Sequence, residues 1–87
     1  MPKIVTKTRK ILANNIVYFR IKNGWSQEYF AELLGTSSGY VSEIENEKRN
    51  ISSDYIDVIA NIFNIEPHEL LINRVPVENR RINRHKR

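Results

Sequence analysis

From Trp25 to Asn46 the chain reads WSQEYFAELLGTSSGYVSEIEN, and the architecture turns on this segment. Ser26 has a side-chain oxygen that can accept a free amide at a helix start, and Gln27 and Glu28 fill the first turn after it. A helix reaching Leu34 follows, with Tyr29, Phe30, Leu33 and Leu34 as its apolar residues. Gly35 breaks it, because glycine tolerates the left-handed turn at a helix end. Thr36 and Ser37 then offer a second cap. The next helix runs from about Ser38 to Asn46 and turns Val41 and Ile44 inward. Two short helices therefore meet at a tight bend, Gly35-Thr36-Ser37.

On the N-terminal side, Leu12, Ile16 and Phe19 recur at helical spacing and predict a helix over residues 8–22, ended by Asn23-Gly24. Trp25 is placed to plug the junction between this helix and the next. On the C-terminal side, residues 47–52 are polar and read as a loop. Ser52 or Ser53 caps a fourth helix carrying Ile56, Ile59, Ala60 and Phe63, with Asn64 closing it. Pro67 suits the first turn of a short fifth helix, where its missing amide costs nothing. Leu70, Leu71 and Ile72 are expected to bury against the rest. The reading divides the chain into a basic lead-in over residues 1–7, a helical domain over 8–72 and a basic tail or arm over 73–87. Val75, Val77 and Ile82 give that tail a weak apolar alternation, as for an arm that packs in a dimer.

With 87 residues and no cysteine, one small core must come from packed helices alone, and dimerisation would help it. The apolar runs are too short for a membrane span, and no signal-peptide hydrophobic region follows Met1. The expected location is the cytoplasm, in association with the nucleoid. The net charge of +4 is unevenly spread. Residues 73–87 hold six basic residues (Arg74, Arg80, Arg81, Arg84, Lys86, Arg87) against the single acid Glu78, a net of +5. The other 72 residues hold eight basic and nine acidic residues, a net of −1. A polyanion is the natural partner for that tail and for the smaller cluster Lys3, Lys7, Arg9 and Lys10.

Two short helices joined by a tight glycine bend form the helix-turn-helix signature, in which the second helix can enter the major groove of DNA. The segment from Leu12 to Leu71 also resembles a family, the Cro/C1-type (XRE) helix-turn-helix proteins. The resemblance is carried by Ile16-x-x-Phe19-Arg20, Trp25-Ser26-Gln27-Glu28-x-Phe30-Ala31-x-x-Leu34-Gly35-Thr36-Ser37 and Tyr40-Val41-Ser42-x-Ile44-Glu45. Lys48-Arg49-Asn50-x-Ser52, Ile59-Ala60 and Glu69-Leu70-Leu71 extend it. It implies an all-α, five-helix lambda-repressor-like domain, here with a basic C-terminal tail.

The resemblance also implies roles. Gln27 reaches a phosphate or braces the recognition helix. Ala31 is small because two helices cross there, and Arg20 and Glu45 form an architectural ion pair. Base and backbone contacts fall to Ser37, Ser38, Gly39, Tyr40, Ser42, Glu43 and Asn46. Lys48, Arg49 and Asn50 grip the backbone beside the groove. The recognition helix offers no Arg, Lys or Gln, so direct reading is expected to be modest and DNA shape to supply much of the specificity. Family members usually have glycine where Glu47 stands and often proline where Ile51 stands, so the helix is expected to end differently here. A two-fold dimer contact falls to Tyr55, Val58, Ile62, Ile65 and Leu71.

No catalytic set is evident, His68 and His85 are isolated, and neither a metal nor a cofactor is implied. The expected function is a homodimeric, sequence-specific regulator of transcription on double-stranded DNA. Length and the Asn50-Ile51-Ser52 loop resemble restriction-modification controller proteins, and a phage-type repressor fits equally. The alternative is an antitoxin-like module whose tail wraps a protein partner.

Overall fold

The computed structural model describes residues 7–77; the expectations for residues 1–6 and 78–87, Lys3 and most of the basic tail among them, lie outside the described residues. Four α-helices follow one another, α1 (Lys7–Lys22), α2 (Gln27–Leu34), α3 (Ser38–Glu45) and α4 (Ser53–Phe63), and then a 3₁₀ segment, Pro67–Leu71. The described residues contain no strand.

Each boundary has a local cause. Ser26, Ser37 and Ser52 stand in extended conformation before α2, α3 and α4, and their hydroxyls accept from the amides of Tyr29, Tyr40 and Tyr55 at 3.0, 3.1 and 3.1 Å. Such caps each contribute about 1 kcal/mol. Gly35, at φ +74°, ends α2, and the Thr36 amide reaches back to the Ala31 carbonyl at 2.9 Å. Asn64 ends α4 in the same left-handed region, at φ +61°.

The end of α3 corrects an expectation. Glu47 itself takes the left-handed conformation, φ +66°, and the Lys48 amide bonds the Glu43 carbonyl at 2.9 Å. The helix thus ends as a glycine-terminated helix does. Arg9 donates to the Glu47 carbonyl at 3.3 Å and holds the turn from outside.

The core is shared by all five elements: Leu12, Ile16 and Phe19 of α1, Phe30 and Ala31 of α2, Val41 and Ile44 of α3, Ile59, Ala60 and Phe63 of α4, and Leu70. Phe63 is its hub, stacked on Phe30 at 4.9 Å and on Trp25 at 5.8 Å. Trp25 therefore spans α2 and α4 rather than only closing the α1–α2 corner.

The fifth element is not an α-helix. Five residues are too few to offset helix nucleation, and the chain is stopped by a side chain of α1. Asn15, fully buried, donates to the carbonyls of Leu70 at 2.7 Å and Ile72 at 2.8 Å. Only Leu70 enters the core. Leu71 and Ile72, expected to bury, are 46% and 43% exposed, because a tight turn of this length aims one side chain inward.

The chain then runs along α1. Arg74 donates to Asn15 Oδ1 at 2.7 Å and to the Glu69 carbonyl at 2.9 Å, with its guanidinium 4.7 Å from the Tyr18 ring centroid. Asn14 accepts from the Val77 amide at 2.7 Å and donates to the Val75 carbonyl at 3.2 Å. Residues 73–77, which the sequence groups with the tail, are strapped to the first helix.

Candidate nucleic-acid interface

The helix α3 is held from behind by a buried charge pair. Arg20 of α1 donates from Nε to Glu45 Oε2 at 2.6 Å and from Nη2 to Oε1 at 3.1 Å, and from Nη1 to the Trp25 carbonyl at 2.8 Å. Both side chains are essentially inaccessible. Gln27, half-buried at the start of α2, donates to Glu45 Oε1 at 2.9 Å. Of the two uses open to Gln27, its amide is engaged in bracing α3. Ala31 lies buried between the helices. The second helix of the pair is thus locked in angle, with its other face turned outward.

That outward face carries Ser38, Gly39, Ser42, Glu43 and Asn46, with the cap Ser37 at its start. A Cβ added at Gly39 would meet nothing closer than Ser37 Oγ at 3.9 Å. The fold has room for a larger residue there, so the glycine leaves an opening toward the outside. Asn46 is turned back on its own helix, donating to the Ser42 carbonyl at 2.8 Å.

Tyr40 and Glu43 face the following loop and α4 rather than open solvent alone. The Tyr40 ring meets Tyr55 edge-on at 6.2 Å, and burial, with Tyr40 nearby, pushes the Tyr55 phenol up from its ordinary value. The Arg49 guanidinium lies 5.1 Å from the Tyr40 centroid and donates from Nε to Glu43 Oε1 at 2.7 Å. That hydrogen bond and the charge of Glu43 raise the guanidinium above its ordinary value. Lys48 is exposed beside it. Asn50 accepts from Arg9 through its side-chain oxygen.

Arg9 reaches the loop after α3, and Asn14 and Asn15 tie the C-terminal segment to α1; the sequence marks Arg9 only as one of a basic cluster and the two asparagines not at all. Their partners lie 38 or more positions away, and asparagine inside a helix reads as neutral. Of the five residues assigned to a dimer contact, Ile62 and Ile65 pack in part against the core and Tyr55 is shared with Tyr40. Val58 and Leu71 stay exposed, at 44% and 46%, and Ile72 and Val75 add to the exposed apolar surface. Among the described residues no group of acids and histidines gathers to hold a metal, and no helix is long and apolar enough to cross a membrane.

Residues 16–70 match the helix-turn-helix family model. Over 64 residues the chain is 36% identical to a hypothetical transcription factor of Neisseria meningitidis serogroup B, covering 74% of this chain but 60% of that protein's length. It is 32% identical over 63 residues to the control protein C.SmaI of Serratia marcescens, covering 72% of this chain and 75% of the relative. The crystal structure of the restriction-modification controller protein C.AhdI from Aeromonas hydrophila superposes with a TM-score of 0.66 at 34% identity, over 71% of this chain and 94% of that one. The order of the four helices, the glycine bend at Gly35 and the match over residues 16–70 agree: the chain belongs to the helix-turn-helix family, of the Cro/C1 (XRE) type.

Proposed function

We propose that the protein is a regulator of transcription that binds double-stranded DNA sequence-specifically as a homodimer, with α3 in the major groove. The observation that carries this reading is the lock behind α3. A fully buried arginine and glutamate, with Gln27 added, fix a helix whose opposite face is open. Rigid presentation of one face is what groove reading needs. The loop that follows supplies Lys48 to the flanking phosphates and sets Arg49 beside the groove, while the amides at the start of α2 suit another phosphate. Regulators and control proteins among the relatives support the class.

A homodimer is supported by the apolar residues left on the surface around α4 and the 3₁₀ segment, Val58, Leu71 and Ile72. A two-fold pair would set two copies of α3 about 34 Å apart, one turn of the duplex. Footprinting of the full chain on the DNA upstream of its own gene tests both parts. The expected result is a protected, two-fold symmetric site with half-sites about one turn apart. No protection at any position, even at low ionic strength, overturns the reading.

A further inference from the structure

The groove-facing residues of α3 include none of the side chains that read a purine through two bonds, except an Asn46 already turned onto Ser42. Arg49 arrives from elsewhere. It belongs to the loop beyond α3, yet its guanidinium is folded back over Tyr40, in the N-terminal half of the helix. Base contacts of a helix-turn-helix fall at that end.

Two features hold the guanidinium there. Glu43 accepts its Nε at 2.7 Å, and the Tyr40 ring lies beneath it at 5.1 Å, itself set against Tyr55. The two amino groups of Arg49 make no hydrogen bond among the described residues, and the side chain is 51% exposed. Glu43 Oε2 is likewise not engaged there, on a side chain 46% exposed. Two donors and one acceptor therefore stand side by side over α3, anchored at Glu43 and reaching back toward Tyr40 in the N-terminal half.

We propose that Arg49 and Glu43 act together as one reader of a G·C base pair. The Arg49 amino groups bond guanine O6 and N7, and Glu43 Oε2 accepts from the cytosine amine. This matches the donor and acceptor pattern of that pair in the major groove. The inference rests on the DNA-binding reading above and deepens it. A simple phosphate anchor would gain nothing from the carboxylate, which competes for the cation. A reader gains orientation from it, since a guanidinium fixed in plane loses less freedom when it makes a bidentate contact. The pairing also removes the repulsion that Glu43 alone would feel from phosphates.

The test selects duplexes from a random pool with the full chain, with Arg49→Lys and with Glu43→Gln, and compares the preferred sites and the salt dependence. The full chain is expected to demand G·C at one position in each half-site, and 7-deazaguanine at that position should weaken binding about tenfold. Arg49→Lys keeps the charge but loses the planar fork and the Nε bond to Glu43, so its salt slope should stay and its preference at that position should weaken. Glu43→Gln should bind other sites equally or better while the same preference relaxes. If both variants keep the full chain's preference and lose only overall affinity, Arg49 is a phosphate anchor and the inference is overturned. If the full chain itself retains no duplex, the DNA-binding reading falls and this inference falls with it, a result distinct from an unchanged preference.

Discussion

Arg20 and Glu45, 25 positions apart in the chain, meet through two hydrogen bonds of 2.6 and 3.1 Å at a place that water does not reach. Charges there are tolerable only as a pair, because each compensates the other's desolvation. Glu45→Leu strips the buried guanidinium of its carboxylate and takes an acceptor from Gln27. It is expected to cost about 3–5 kcal/mol of unfolding free energy. Arg20→Met combined with Glu45→Leu should recover most of that loss, since an apolar pair of similar volume needs no compensation. Urea unfolding of the two single variants and the double closes the cycle; a double variant as unstable as the sum of the singles would refute the account.

Gly39 is a glycine that the fold does not require. An alanine methyl group would touch only Ser37 Oγ, at 3.9 Å, and the backbone there is helical. Gly39→Ala should raise stability by about 0.5–1 kcal/mol, the usual gain in a helix. If the opening serves close approach to DNA, the same change should weaken binding to the selected site. Thermal unfolding and titration of the duplex, run on one preparation, measure both signs. Equal or tighter binding would remove Gly39 from the interface.

Glu47 shows strain of the opposite kind. A glutamate at φ +66° suffers a clash between its Cβ and its own backbone that costs about 1–2 kcal/mol. Glu47→Gly relieves it and gives back part through a freer unfolded chain, so a net gain of about 0.5–1 kcal/mol is expected. The substitution also removes an ion pair with Lys10, but at 4.0 Å and on the surface that pair contributes little. Urea unfolding checks the sign.

These residues mark how far the sequence could be read. Serine caps and left-handed residues act through neighbours three or four positions away, so local pattern places α2, α3 and α4 to within a residue through Ser26, Gly35 and Asn64. It leaves Thr36 or Ser37 and Ser52 or Ser53 open as caps, and the structure uses Ser37 and Ser52. The inward face of α1 was legible for the same reason, through Leu12, Ile16 and Phe19. The end of the chain was not. Whether residues 67–71 continue as an α-helix is settled by the amide of Asn15, 55 and 57 positions from the two carbonyls it binds. The placement of Arg49 over Tyr40 depends likewise on a loop folding back, and no periodicity encodes that. At Glu47 the expectation failed because carbonyls left at the end of α3 can impose a left-handed turn on a residue that disfavours it.

Val58 lies on α4 with 44% of its surface exposed, in line with Tyr55 and Ile62 on the same helical face. If that face meets a second copy, Val58→Asp places a charge in the interface. Sedimentation of the full chain at micromolar concentration should report a dimer, and the variant a monomer with unchanged helical content. Dimer affinity should weaken by about tenfold or more, the scale for an unpaired charge in an apolar interface. A variant that sediments with the parent chain would move the interface elsewhere.

The strap along α1 decides where the basic tail can be removed without harm. A cut after Asn73 takes Arg74 away and leaves Asn15 Oδ1, on a fully buried residue, without its donor. That should cost about 1–3 kcal/mol, the range for a buried polar atom left unsatisfied. A cut after Val77 keeps every one of those bonds and removes Arg80, Arg81, Arg84, Lys86 and Arg87 with the acid Glu78. The two truncations separate folding from binding. The shorter chain should unfold earlier, whereas the longer one should unfold with the full protein yet bind DNA with a flatter salt dependence. The slope should fall by about 0.9 for each tail residue that neutralises a phosphate. If the chain cut after Val77 keeps the full slope, the tail makes no contact with the duplex, even though Asn14 fixes its point of departure on α1.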